Sequence, residues 1–154
     1  MKLYLDTTIL AALTYFKDKD TKRYSECKRL IRKCNENDST IVISFYAIHE
    51  LFLLPFGYED EKTARNTGLA LIKEILNLNK IELTELLSRE TRIIYQDMFY
   101  MSDRTDIPHA IAAYVEKCDG IVTYDSHFDQ ISNKIKVFEP CTVPIENSHR
   151  KQPF

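Results

Sequence analysis

Four acidic side chains of this 154-residue chain could form one site, and three of them stand where predicted strands end or a predicted helix begins. Asp6 directly follows a predicted strand, and Asp125 directly follows the run Gly120-Ile-Val-Thr-Tyr124, which contains another. Asp106 stands at the predicted start of a helix, and Glu50 lies inside an apolar run. An acid on the buried side of a helix is costly unless it is paired or binds a cation. Carboxylates without thiolates or an obligatory histidine favour Mg²⁺ or Mn²⁺.

Each of these acids also has a purely structural explanation. Asp106 alone would be an ordinary helix N-cap, where a carboxylate accepts hydrogen bonds from free backbone N–H groups. Glu50 could lie on the solvated stripe of a half-exposed helix. Together, however, clustered carboxylates destabilise a fold unless cations neutralise them. Two such cations roughly 4 Å apart can orient a water and stabilise its attack on a phosphodiester.

Strand and helix patterns alternate along the whole chain. Strands are predicted at 2–5, 40–43, 80–83, 120–123 and 136–138, and helices at 9–16, 21–35, 44–54, 60–77, 89–101, 106–118 and 126–131. This alternation predicts an α/β fold with a mostly parallel sheet and helices on both faces. The functional crevice of such sheets lies beyond the carboxyl ends of the strands, so Asp6 and Asp125 should meet there.

Four segments resemble the ordered motifs of the PIN domain, particularly those of VapC-type toxins. They are 5–10 (Leu-Asp-Thr-Thr-Ile-Leu), 44–51, 106–112 and 122–128, and the resemblance extends over about 2–139. It implies an α/β, PIN-like (Rossmannoid) three-layer sandwich with a mostly parallel central sheet. Residues 1–140 would form the nuclease domain, and 141–154 an irregular C-terminal tail.

The resemblance also assigns candidate site residues. The acidic quartet of the family, which would bind metal and carry out catalysis, is matched by Asp6, Glu50, Asp106 and Asp125. Asp129 matches the position of an occasional fifth acid. Thr7 and Thr123 would orient the metal ligands through their hydroxyl groups. Thr8 stands where many members have Asn.

Members of this family are Mg²⁺- or Mn²⁺-dependent ribonucleases. The resemblance therefore implies one or two such ions as cofactors and RNA as the substrate. Many members are homodimers, and the toxins are silenced by a small antitoxin protein, so both kinds of partner are implied as well. The products would carry a 5′-phosphate and a 3′-hydroxyl.

Charge and cysteine content indicate how the protein would hold RNA and in which compartment it would be found. With a net charge of −2, the protein would have to hold RNA through local patches. Candidate contacts are Lys22, Arg23, Lys28, Arg29, Arg32, Arg104 and His127, although a solvated helix surface is the slightly simpler explanation of the basic helix. Cys27 and Cys34 lack zinc-ligand spacing and should be buried as small apolar residues in a reduced, cytoplasmic protein. The longest apolar stretch, 51–56, is too short to cross a membrane.

Two further features have competing interpretations. The apolar stretch 51–56 is half explained by core packing, and the other half could form a dimer or antitoxin surface. His109 follows Asp106 by one helical turn, but its small and apolar neighbours favour a packing role over contact with a ligand.

Other functions compete with the nuclease prediction. A phosphohydrolase that uses Asp6 as a covalent nucleophile would need a second acid where Thr8 stands. A non-catalytic scaffold that binds RNA or protein would not need a costly cluster of negative charge. A PIN nuclease of RNA processing or quality control remains an alternative to a toxin, because the sequence barely separates the two.

Overall fold

The computed structural model describes residues 1–145 of the chain. The strands are β1 (Lys2–Leu5), β2 (Thr40–Ser44), β3 (Ile81–Thr84), β4 (Gly120–Val122) and β5 (Val137–Phe138). They form one sheet in the order β3-β2-β1-β4-β5, and all neighbours are parallel. This confirms the predicted α/β architecture.

The helices connect the strands. They are α1 (Thr7–Leu13), α2 (Thr21–Glu36), α3 (Phe45–Leu53), α4 (Glu61–Leu76), α5 (Arg89–Tyr95) and α6 (Ile107–Val115), with short 3-10 helices at Leu54–Gly57, Gln96–Met98 and Ser126–Ile131. Four of the α-helices begin at an N-cap residue whose side chain accepts a hydrogen bond from the backbone amide three residues later. These N-cap residues are Asp20, Ser44, Asp60 and Ser88. The cap at Ser44 starts the helix that carries Glu50.

Alternating strand residues fill two hydrophobic cores, one on each face of the sheet. Leu3 and Leu5 pack with α1 to α4, whereas Tyr4 packs with α6 on the opposite face. Cys27 and Cys34 are buried in the first core, as predicted. Helices on both faces give the expected three layers.

The chain changes direction along the sheet at β1. From β1 it proceeds outward to β2 and β3, and then returns to place β4 and β5 on the other side of β1. A crevice forms at such a switch point, beyond the carboxyl ends of the two central strands. Here those ends belong to β1 and β4.

Gly68 lets α4 approach α3 closely. A Cβ atom at this position would lie 2.6 Å from the carbonyl oxygen of Phe52. Glycine therefore permits the tight packing that supports the helix bearing Glu50.

Two predicted helices are shorter than expected. The helix predicted at 89–101 ends as α5 at Tyr95, because Phe99 and Met101 are buried in the second core while Tyr100 between them is 86% exposed. The helix predicted to reach Cys118 ends at Val115, since Lys117 adopts a left-handed φ of 54° that turns the chain into β4.

The C-terminal region of the described chain is attached to the domain. Residues 141–145 form no helix or strand, but Val143 and Ile145 are buried in the first core. The boundary at residue 140 stays a prediction, and the rest of the predicted tail, 146–154, lies outside the described residues. Within residues 1–145, no helix has the length and apolar character needed to span a membrane.

Candidate active site

One cavity of about 500 Å³ collects the predicted acidic quartet at the switch point of the sheet. Its polar lining consists of Asp6, Thr7, Thr8, Lys19, Asp20, Arg23, Glu50, Asp106 and Asp125. Ala11, Ala12, Phe16 and Leu54 supply the apolar part of the wall. Four separate segments therefore bring their carboxylates to one place. Asp129 is exposed and does not line this cavity.

Asp6 is fixed by hydroxyl groups on both sides of the switch point. Its side chain is buried, and Oδ2 accepts hydrogen bonds from the Thr8 hydroxyl at 2.8 Å and the Thr123 hydroxyl at 2.9 Å. The Thr8 amide donates to the same oxygen at 3.2 Å. Thr123 also accepts from the Asp125 amide at 2.9 Å. The Thr123 hydroxyl thus joins two of the predicted acids.

Glu50 is held through both of its oxygens. The Thr7 hydroxyl donates to Oε2, and His109 Nε2 lies 3.0 Å from Oε1. Burial raises the pKa of Glu50, but the hydrogen bond and charge of His109 outweigh burial and keep that pKa below its ordinary value. Conversely, burial lowers the pKa of His109, and the hydrogen bond with Glu50 raises it above the usual 6.5. Glu50 is therefore ionised at neutral pH.

Asp106 is the least satisfied of the four acids. It stands at the N-cap of α6 but makes no side-chain capping bond, and its Oδ2 is buried without a hydrogen-bond partner among residues 1–145. Burial and the charges of Asp125, Asp103 and Asp6 raise its pKa from 3.8 to about 6. An ordinary N-cap would show the opposite pattern, with a bonded carboxylate.

Two further side chains stand next to Asp106. Asp103, Asp106 and His127 each offer a ligand atom within 4.8 Å of the others. His127 Nδ1 lies 3.3 Å from an oxygen of Asp125 and 3.6 Å from Asp106 Oδ2. His127, predicted as an RNA contact, thus lies between two acids. Asp103 was not predicted, although its Asp-x-x-Asp spacing with Asp106 could have indicated it.

The predicted basic residues fall into separate places. Arg23 lines the cavity, and Lys22 is exposed on the same helix. A second groove on α2 is lined by Lys28, Arg29 and Arg32. Arg104 is exposed and lines a third depression, next to Arg89 and Arg92. The basic residues of α2 therefore do not share one groove, and Arg104 lines a different depression.

Two roles differ from the interpretation of the sequence. His109 is fully buried, as a packing residue would be, but it also contacts the candidate ligand Glu50. Thr8, which departs from the Asn common in the family, bonds Asp6 and accepts from the Tyr124 amide at 3.0 Å. Residue spacing does not indicate these contacts. His109 and Glu50, like Thr8 and Tyr124, are far apart in the sequence, and the bond between Thr8 and Asp6 depends on the turn at the start of α1.

The fold and the cavity define an α/β protein with an acidic crevice at the switch point of a parallel sheet. The sequence matches the PIN domain family over residues 2–127, so the chain belongs to that family. The comparison with curated proteins found no match.

Several solved structures share this fold. VapBC2 from Rickettsia felis, bound to a promoter DNA fragment, has a TM-score of 0.60 and 17% identity, over 90% of this chain and 98% of that chain. The sarcin-ricin loop cleaving toxin VapC20 from Mycobacterium tuberculosis has a TM-score of 0.59 and 14% identity, over 82% and 92%. VapBC-1 from nontypeable Haemophilus influenzae has a TM-score of 0.59 and 14% identity, over 91% and 98%. At such identities the likeness concerns the fold alone.

The residues of the cavity fit a hard divalent cation. Asp106 presents a buried carboxylate oxygen that lacks a hydrogen-bond partner within the described part of the chain. The carboxylates of Asp6, Glu50 and Asp125 line the same cavity, as does that of Asp20, and oxygen ligands of this kind suit Mg²⁺ or Mn²⁺. The donor set is therefore chemically consistent with the metal sites of PIN nucleases.

Proposed function

We propose that this protein is an endoribonuclease that depends on Mg²⁺ or Mn²⁺, and that it acts as the toxin of a VapBC-type toxin–antitoxin pair. The observation that carries the proposal is the buried Asp106 Oδ2, which has no hydrogen-bond partner among residues 1–145 and shares one cavity with Asp6, Glu50 and Asp125. A carboxylate whose pKa is raised by burial and by acidic neighbours is costly to maintain and is typical of functional sites.

The four acids have distinct roles in this proposal. Asp6, Asp106 and Asp125 would hold one or two divalent ions, and Glu50 would complete the site and orient the attacking water. When bound, such ions lower the pKa of a water molecule and neutralise charge that develops on a phosphodiester. Thr7, Thr8 and Thr123 keep the carboxylates in place through hydroxyl donors.

Cations at the edge of the cavity support a nucleic acid as the substrate. Lys19 and Arg23 line the same cavity as the acids, and both lie over aromatic rings. The sugar-phosphate backbone of RNA could contact these cations while the scissile phosphate approaches the carboxylates. RNA, rather than DNA, is proposed on the basis of the family.

The toxin role and its partners rest on the structural neighbours. Two of them are VapBC proteins, which suggests a small antitoxin as the partner of this chain. A homodimer is proposed as well, because apolar side chains on α5 and in the stretch 51–56 are exposed. The four cysteines are free thiols, in keeping with the proposed cytoplasmic location.

Cleavage of a fluorescent single-stranded RNA tests the proposal. We expect cleavage by the wild-type protein with Mn²⁺ or Mg²⁺, and its loss both in EDTA and in Asp6→Asn. The matched control is Asp129→Asn, which removes an exposed acid outside the cavity and should retain activity. Cleavage that persists in Asp6→Asn would come from a contaminating nuclease.

Absence of cleavage by the wild type leads to a second measurement. The thermal unfolding temperature, measured at increasing Mn²⁺ concentrations, would show whether the cavity binds the ion. If the wild type binds Mn²⁺ and Asp6→Asn does not, the protein would be a nuclease that cleaves only a narrow set of RNA targets. Failure to bind Mn²⁺ would contradict the proposal and favour a non-catalytic scaffold.

A further inference from the structure

A chain of buried hydrogen bonds leads from Glu50 into the second core. His109 Nε2 lies 3.0 Å from Glu50 Oε1, and its other nitrogen, Nδ1, lies 2.8 Å from the hydroxyl of Tyr4. The Tyr4 hydroxyl lies 2.6 Å from Ser44 Oγ. Ser44 in turn accepts from the amide of Ala47 at 3.2 Å as the N-cap of α3. His109, Tyr4 and Ser44 are each 0% exposed.

These contacts determine where the hydrogen atoms lie. An ionised carboxylate can only accept, so the hydrogen between His109 and Glu50 belongs to Nε2. When His109 is neutral, Nδ1 accepts a hydrogen bond from the Tyr4 hydroxyl, and when His109 is protonated both of its ring nitrogens donate. Burial raises the pKa of Tyr4 well above 10, so its hydroxyl keeps that proton. With His109 neutral, the Ser44 hydroxyl donates to Tyr4, and in either case its oxygen accepts from the Ala47 amide.

The chain of bonds connects four separate elements at one point. Tyr4 belongs to β1, Ser44 ends β2, His109 belongs to α6, and Glu50 belongs to α3. Only Glu50 reaches the cavity, with 39% of its side chain exposed. The buried members therefore cannot touch substrate, and any effect they have on the reaction must pass through the position of Glu50.

We propose that His109 and Tyr4, with Ser44 behind them, are positioning residues that fix the carboxylate of Glu50 at the edge of the cavity. Thr7 holds Oε2 and His109 holds Oε1, so the orientation of the carboxylate is set from both sides. This inference rests on the proposed nuclease function for its kinetic consequences. Groups that bond to ligating or water-orienting side chains commonly affect metal affinity and activity by roughly 10- to 100-fold.

Three variants separate positioning from packing. Tyr4→Phe removes the hydroxyl that holds Nδ1 and keeps the ring. His109→Leu removes the donor to Glu50, whereas His109→Gln places an amide donor where Nε2 stood. Val42→Ala is the matched control, because Val42 is a buried core residue paired with Tyr4 across the sheet and has an apolar side chain.

Kinetics and Mn²⁺ affinity are measured on the full chain. We expect His109→Leu to lower kcat and Mn²⁺ affinity by about 10-fold or more, Tyr4→Phe to lower them by about 3-fold, and KM for RNA to change little. His109→Gln should recover most of the loss. Val42→Ala should lose thermal stability without these effects. If Tyr4→Phe and His109→Leu behave like Val42→Ala, the network only packs the core and the inference is wrong.

A measurement without RNA or metal tests the inference independently of the proposed function. Long-range ¹⁵N–¹H NMR correlations report which imidazole nitrogen carries hydrogen, and His109→Gln identifies the signals of His109. A protonated Nε2 that persists in Tyr4→Phe with altered shifts would support the network. An unprotonated Nε2 would overturn it, whether or not the protein cleaves RNA. A wild-type protein without nuclease activity would contradict only the proposed function.

Discussion

The guanidinium of Arg23 lies over the ring of Tyr124, with 4.5 Å between its carbon atom and the ring centroid. The hydroxyl of Tyr124 donates a hydrogen bond to Glu26 at 2.8 Å. Glu26 belongs to α2, as Arg23 does, so the same helix fixes the position of the ring. Tyr124 directly precedes Asp125. The Arg23 guanidinium therefore lies over a fixed ring and lines the acidic cavity, where it can contact a phosphate group of the proposed RNA substrate.

We predict that Arg23→Ala raises the KM for RNA by about 5- to 10-fold and changes kcat less, because a phosphate contact acts mainly in binding. Arg23→Lys should recover part of the effect, since lysine keeps the charge but not the planar stacking. Arg65, exposed on α4 away from the cavity, provides the control variant Arg65→Ala. Equal KM values for Arg23→Ala and Arg65→Ala would refute a role in RNA binding.

The groove formed by Lys28, Arg29 and Arg32 supports a separate prediction. If RNA extends along α2, the triple alanine variant should bind RNA more weakly. The slope of log affinity against log salt concentration should become shallower by about 2 to 3, close to one for each cation removed. Fluorescence anisotropy with the catalytically impaired Asp6→Asn protein would measure both quantities. Unchanged affinity and salt dependence would mean that these residues form a solvated helix surface.

Sequence patterns predicted the sheet, and the same patterns explain why Asp6 and Asp125 line one cavity. Buried parallel strands such as Ile41–Ile43 have continuous apolar runs, and the acid that ends each central strand must lie at the same edge. The extent of α5 was not predictable in this way. Phe99 and Met101 continue the apolar helical pattern, and only tertiary packing shows that they enter the core from an extended segment.

Contacts between side chains were the least predictable part of the candidate site. The bonds between His109 and Glu50, and between Thr8 and Tyr124, join residues that are distant in sequence. Residue type alone makes a histidine among alanines resemble a packing residue. Three-dimensional placement is needed to show that its ring also reaches a carboxylate.

Exposed apolar side chains on α5 predict an interface. This helix buries none of its residues, and Ile93 and Ile94 are 54% and 69% exposed. In the stretch 51–56, Leu53 and Phe56 are also exposed, whereas Leu51 is buried. Apolar surface of this kind favours association. We expect a dimer by light scattering at micromolar concentration, and Ile94→Glu on α5 or Leu53→Glu on α3 identifies which face forms it. A monomeric wild type would contradict the prediction.

Removing the charge of Asp106 should stabilise the metal-free protein. Its raised pKa means that the folded state disfavours the charged carboxylate, so stability is highest below the ordinary pKa of 3.8 and is lost as the pH rises through about 6. The difference corresponds to at most about 3 kcal/mol. We therefore expect Asp106→Asn to be more stable than the wild type in EDTA at neutral pH, with a difference that shrinks to about 1 kcal/mol near pH 4.5.

Denaturant unfolding at the two pH values measures this effect. Asp129→Asn is the control, because that exposed acid should change stability by less than about 0.5 kcal/mol. Asp106→Asn should also lose RNA cleavage, so stability and activity would move in opposite directions. A variant that is less stable than the wild type at neutral pH would show that Asp106 serves the fold and not the site.

Thr8 connects the two central strands through one hydroxyl, which donates to Asp6 at 2.8 Å and accepts from the Tyr124 amide at 3.0 Å. Thr8→Val keeps the shape of the side chain but removes both bonds. It leaves the Tyr124 amide without this partner and Asp6 with one donor fewer, so we expect a loss of about 1 to 3 kcal/mol in stability and at least a 10-fold loss in kcat. Thr8→Ser retains the hydroxyl and should keep most of the activity. Thr8→Asn, which introduces the residue common in the family, should also preserve a donor to Asp6. Measured kcat and unfolding free energies for the three variants test this order, and a Thr8→Val protein as active as Thr8→Ser would mean that Asp6 keeps its position without the Thr8 hydroxyl.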